Sequence, residues 1–173
     1  MNADELRQLQ APLKARYKEE PKSAIVTLRA VGRVEQASVT CVLETGKPGL
    51  PVGLHPAAGG DGSWACSGDL LLEALVGCAG VTLAAVATAM GIELTRARVS
   101  AEGELDFRGT LGVARDAAVG FTDIRCLFEI ETATPPDKVQ KLVELTERYC
   151  VIFQTLSRPP KLEVRTQTTT SSA

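Results

Sequence analysis

Hydrophobic residues concentrate between Leu70 and Met90, where LLLEALVGCAGVTLAAVATAM carries a single charge, Glu73. Leu, Ala and Met favour helix, and at 1.5 Å per residue this run would be roughly 31 Å long. Ser67 is placed to cap it, Asp69 falls in the first turn where a carboxylate suits the helix dipole, and Gly91 offers a left-handed stop. A helix apolar on every face must be surrounded. Length alone would admit a membrane span. The run is rich in alanine, however, contains Glu73, Thr82 and Thr88, and has neither basic clusters nor aromatic belts at its flanks. It reads as the buried central helix of a soluble domain, and its small residues would let a second such helix pack on it.

Elsewhere the pattern is amphipathic. Residues 3–20 place Leu6, Leu9, Leu13 and Tyr17 on one helical stripe, with Pro12 expected to kink the helix or start it afresh and Pro21 to end it. Residues 24–31 and 34–44 read as strands meeting at Gly32-Arg33, with Val39, Cys41 and Leu43 on the core side. A turn-rich link, 46–62, holds a short strand near Leu50–Leu54. Residues 96–107 and 121–131 are two further strands, the second placing Ile124, Cys126, Phe128 and Ile130 on one face. Thr134-Pro135-Pro136-Asp137 starts a helix with Thr134 as cap, whose buried face is Val139, Leu142, Val143, Leu145 and Tyr149. Cys150 sits at its end, 151–156 adds another turn or two, and 162–166 forms a last strand. The order describes an α+β domain over 23–166, preceded by a helical arm, 1–22, and followed by a disordered tail, 167–173.

Charge and composition narrow the functions. A net charge of −2 over 173 residues gives no electrostatic case for nucleic acid or an anionic membrane. The acidic start MNADELRQ lacks the apolar stretch of a secretory signal, which points to the cytoplasm. Five cysteines, none in a C-x-x-C pair, and a single histidine, His55, offer little for a metal. They suit a reducing compartment in which some thiols react. Cys41 and Cys126 read as small core hydrophobes. Cys66 precedes the central helix and is ambiguous. Cys78 lies too deep in that helix for its dipole to activate it, so a low thiol pKa would need a cation from another element.

The combination of SGDLLLEALVGCAG with a downstream ERYCVIFQTL resembles the OsmC/Ohr family of osmotically inducible and organic hydroperoxide resistance proteins. The resemblance implies an OsmC-like fold, antiparallel sheets around a long buried central helix, in an intertwined homodimer with sites at the subunit interface. It further implies a thiol peroxidase. Cys78 would attack an organic hydroperoxide and become a sulfenic acid, and Cys150 would resolve it into a disulfide. An external dithiol such as dihydrolipoamide would then reduce that disulfide, with no bound cofactor. Members with strong peroxidase activity carry Glu ten residues before the first cysteine; here that position is Gly68, followed by Asp69. Asp69 is then the candidate carboxylate. Arg33 is the candidate activating cation, with Arg29 the alternative, although a solvated surface role is the plainer reading of either. The competing reading is a redox-inert OsmC-like dimer that binds an apolar ligand or partner in its cleft.

Overall fold

The computed structural model describes residues 1–44 and 49–168. α1 spans Ala3–Glu19 and is closed at its start by reciprocal hydrogen bonds between Asn2 and Glu5. It continues through Pro12 without starting afresh. β1 (Gly32–Glu35), β2 (Thr40–Leu43), β3 (Leu50–Gly53) and β4 (Ala65–Cys66) form one sheet in chain order, antiparallel except for the β3–β4 pair. α2 is Ser67–Met90. β5 (Arg96–Leu105) and β6 (Phe121–Glu131) make a second, antiparallel two-stranded sheet, with the four-residue α3 (Phe107–Thr110) in the connection between them. α4 (Pro136–Tyr149) and α5 (Val151–Ser157) complete the fold.

α2 is the element against which α1, β4, β5, α4 and α5 all rest. Its stop is the expected one: Gly91 adopts φ 66°, and the N–H groups of Gly91 and Ile92 return to the last turn. Its start lies earlier than expected. Cys66 occupies the cap position and Ser67 is already helical. The larger difference is burial. One stripe, Leu75, Ala79, Leu83 and Ala87, is buried at the i, i+4 spacing of a single face. The opposite side is open, with Val81 73% exposed. The helix has the length and apolarity of a membrane span, yet the buried stripe meets folded protein on one side. Its own chain covers only that side.

Two apolar clusters sit along the stripe. Leu83, Ala87, Ile92 and Leu142 form one, flanked by Val99, Phe128 and Ile130 of the two-stranded sheet. Leu75, Ala79 and Cys150 form the other, flanked by Cys78, Ile124, Cys126 and Phe153.

Several sequence expectations are corrected here. The chain reverses between β1 and β2 at Gln36–Ser38, with Val39 left-handed at φ 52°, and Gly32-Arg33 lies within β1. Val39 is consequently exposed rather than core-facing. Residues 25–31 and 162–166 carry no regular structure. Phe107 falls in α3, beyond the end of β5. α4 is capped by Pro135 instead of Thr134, and Tyr149 is exposed while Thr146 takes the buried position. Part of the link at 45–48 and of the tail at 169–173 lies outside the described residues.

Candidate active site

α2 carries Cys78 next to the buried Ala79, which leaves the thiol half-buried at the edge of the stripe. Thr82, one turn on, donates its hydroxyl to the Cys78 carbonyl at 2.7 Å. Cys150 is fixed differently. It is the single residue between α4 and α5, with extended dihedrals (φ −73°, ψ 109°), so it ends one helix and caps the next. Its N–H bonds the Thr146 carbonyl at 2.9 Å, and its Sγ accepts the Phe153 N–H at 3.5 Å. The turn of chain at Cys150 aims the first amides of α5 back toward α2. At 1% exposure its thiol is closed to solvent.

Cys78 packs against Cys150 in one apolar cluster, close enough for each thiol to shift the other's titration. Burial pushes the Cys78 thiol up, but the Ile152 N–H, the Cys150 thiol and the Val151 N–H more than offset it. Cys78 settles below the ordinary thiol value of 9.0. Thr82 also reaches toward the sulfur, but it has one proton, and at 2.7 Å that proton is given to the carbonyl. Cys150 moves the other way. Burial raises it first, and donation to Cys78 together with that sulfur's negative charge raises it further, against the opposing Phe153 and Ile152 amides. One thiol is prepared to be a thiolate and its neighbour to remain protonated. Within the described residues of one chain the causes of this polarity are backbone amides and the neighbouring thiol, and no cation is among them.

Arg33 and Asp69 are not among the groups acting on Cys78. Arg33, on β1, pairs with Glu35 and, at 3.8 Å, with Glu44. Asp69 is exposed in the first turn of α2. Arg29 is exposed in the irregular segment before β1. Within one chain, the described residues bring together the two cysteines and not the Arg–carboxylate pair. Of the remaining thiols, Cys126 packs in the same cluster and is held up by burial and by the charge of Glu147. Cys66 and Cys78 are twelve positions apart on one helix, about 18 Å along its axis, far beyond disulfide reach. Among the described residues no cluster could hold a metal ion.

Beside the thiols lies a cavity of about 550 Å³ whose walls include Leu71, Leu75, Ile124, Cys126, Phe153 and Leu156. Five of these six also belong to the cluster around Cys150. Sequence reasoning gives an apolar cleft but not its walls, and it misses the amides of Val151 and Ile152. Backbone N–H groups leave no residue-type signature, and the only available signal was that the helical pattern changes phase at Cys150.

A family model described as OsmC-like protein matches residues 60–165, a span containing α2, both sulfurs and the whole cavity. The chain belongs to the OsmC-like family. Arg33 lies outside the matched span. Solved structures agree on the OsmC-like fold. An OsmC-like protein from Mycoplasma pneumoniae superposes with a TM-score of 0.64 at 14% identity, over 78% of this chain and 89% of that one. An organic hydroperoxide resistance protein from Elizabethkingia anophelis gives 0.60 at 13%, over 78% and 91%. The organic hydroperoxide resistance protein OhrB of Bacillus subtilis gives 0.53 at 19%, over 79% and 93%. No curated protein sequence matches the chain.

Proposed function

We propose that this OsmC-like protein is a thiol peroxidase for organic hydroperoxides, working as a cytoplasmic homodimer. The observation that carries the proposal is the packing of Cys78 and Cys150 in one apolar cluster beside a cavity, with the Cys78 thiol shifted down and the Cys150 thiol up. The Cys78 thiolate attacks the terminal peroxide oxygen, the O–O bond breaks, and the alkoxide leaves and takes a proton to become the alcohol. Sulfur is oxidised to the sulfenic acid, Cys78–SOH. The Cys150 sulfur then attacks the Cys78 sulfur. Its proton and the sulfenic hydroxyl depart as water, and a disulfide replaces both thiols. An external dithiol returns the pair to the reduced state by exchange and is itself oxidised to a disulfide. The amides of Val151 and Ile152 hold the attacking sulfur as an anion, the role a cation would otherwise fill. The test is turnover: cumene hydroperoxide should be consumed continuously with dihydrolipoamide present, and Cys78→Ser should abolish it. Consumption that persists in Cys78→Ser would remove the proposed nucleophile.

A second reading is favoured by two features, the engagement of Arg33 with Glu35 and Glu44 and the absence of a side chain at Gly68. In that reading the protein is a redox-inert dimer whose cleft holds an apolar ligand. It predicts ligand binding without any hydroperoxide consumption.

A further inference from the structure

A second cavity, of about 360 Å³, opens at the other end of the same helix face, lined by residues that include Leu54, His55, Gly68, Leu71, Leu105 and Phe121. The two cavities share Leu71, Gly120 and Phe121 as walls. Gly68 makes room in the second. A Cβ added there would stand 3.5 Å from both Leu105 Cδ1 and Phe121 Cζ, ordinary contact, so any longer side chain would extend among these apolar groups. Gly68, Leu71, Leu75 and Cys78 follow one another at helical spacing along α2, and ten residues of helix amount to about 15 Å. An unbranched chain on the order of a dozen carbons spans that length. Nothing in the backbone at position 68 requires glycine, since its φ is not positive.

We propose that Gly68 is a specificity-determining residue: its missing side chain lets the alkyl tail of a long-chain hydroperoxide run from Cys78 past Phe121 into the second cavity. This rests on the peroxidase reading for the reacting end, while the tail site stands on the cavity geometry alone. The polar head stays at the sulfur and the tail replaces water against Leu71, Leu105 and Phe121. A side chain at 68 fills the far half of that path and leaves the near half open, so it discriminates by chain length.

Two readouts test this. The first is the ratio of kcat/KM for dodecyl hydroperoxide to that for tert-butyl hydroperoxide. Gly68→Leu should lower this ratio about tenfold, the range over which a hydrophobic pocket discriminates size. Gly68→Ala, whose Cβ fits at ordinary contact, should lower it less and guards against a variant that fails to fold. The second readout needs no turnover. Trp64 is the sole tryptophan and lies against Gly53, a wall of the second cavity. Its fluorescence should respond to 1-dodecanol in the wild type and only at higher concentration in Gly68→Leu. An unchanged kcat/KM ratio, no response of Trp64 to dodecanol, or an equal response in both proteins would overturn the inference. A protein that binds dodecanol as described but consumes no hydroperoxide would keep the tail site and defeat only the peroxidase reading.

Discussion

Cys78 packs against Cys150 in one apolar cluster, and the two thiols are shifted in opposite directions, Cys78 down and Cys150 up. The direction of the asymmetry follows from where each sits. Cys78 faces the first amides of α5, whereas Cys150 belongs to the closed cluster with Leu75 and Ala79.

The sign of the pH dependence can be stated directly. Cys78 has a lowered folded pKa, so its thiolate is present from below the ordinary value of 9.0 upward and is lost as pH falls through the folded value. Alkylation of Cys78 by iodoacetamide should show a midpoint below 9.0. Cys150→Ala removes one donor and should move the midpoint up while leaving the Val151 and Ile152 amides in place. A midpoint at or above 9.0 in the wild type would contradict the polarity.

Substrate preference follows from the apolar wall. Burying an extra ~60 Å² of alkyl or aryl surface at about 25 cal/mol per Å² is worth about 1.5 kcal/mol, on the order of tenfold. Cumene hydroperoxide should therefore exceed hydrogen peroxide in second-order rate by at least about that factor. Equal rates in stopped-flow measurements would place the reaction away from the cavity beside Leu75 and Phe153.

How far the chain could be read in advance depended on the strength of each local pattern. β6 matched its expected span because Ile124, Cys126, Phe128 and Ile130 alternate with Arg125, Leu127, Glu129 and Glu131. α4 was legible for the same reason at helical period, and α2 by its long apolar run ending at Gly91. The β1–β2 reversal was not, since Gln36–Ser38 contains no glycine, proline or asparagine and ends on a left-handed Val39. Residues 162–166 have strand-like composition but pair with no strand among the described residues. In the site, the two cysteines were legible because they are residue types at a recognisable spacing. Their activation was not, because it comes from backbone amides positioned by a helix break. Thr146, buried and bonded to the Leu142 carbonyl at 2.8 Å, was hidden by its polarity.

Leu142 is fully enclosed between α4 and α2, where it meets Leu83, Ala87 and Ile92. Leu142→Ala should destabilise the protein by about 2–5 kcal/mol. Urea unfolding followed by circular dichroism measures it. A change under about 1 kcal/mol would mean that this cluster is not the core.

The open side of α2 needs a cover. Val81 is 73% exposed on an apolar helix, and Ile25, Val26 and Leu28 are exposed nearby in sequence to β1. The proposed cover is a second copy of the chain. Sedimentation at micromolar concentration should give twice 18.3 kDa for the wild type and the single-chain mass for Val81→Glu. A wild-type monomer would refute the dimer.

The most direct test is to count thiols and map the products after one equivalent of cumene hydroperoxide. The wild type should lose two thiols, with a single Cys78–Cys150 peptide linkage and with Cys126 unmodified, as its raised pKa requires. Cys150→Ser should instead stop at Cys78 sulfenic acid and reach the sulfinic form only when a second equivalent of hydroperoxide is added. Loss of no thiols, or a linkage that engages Cys126 in place of Cys150, would contradict the pairing on which the proposed reaction depends.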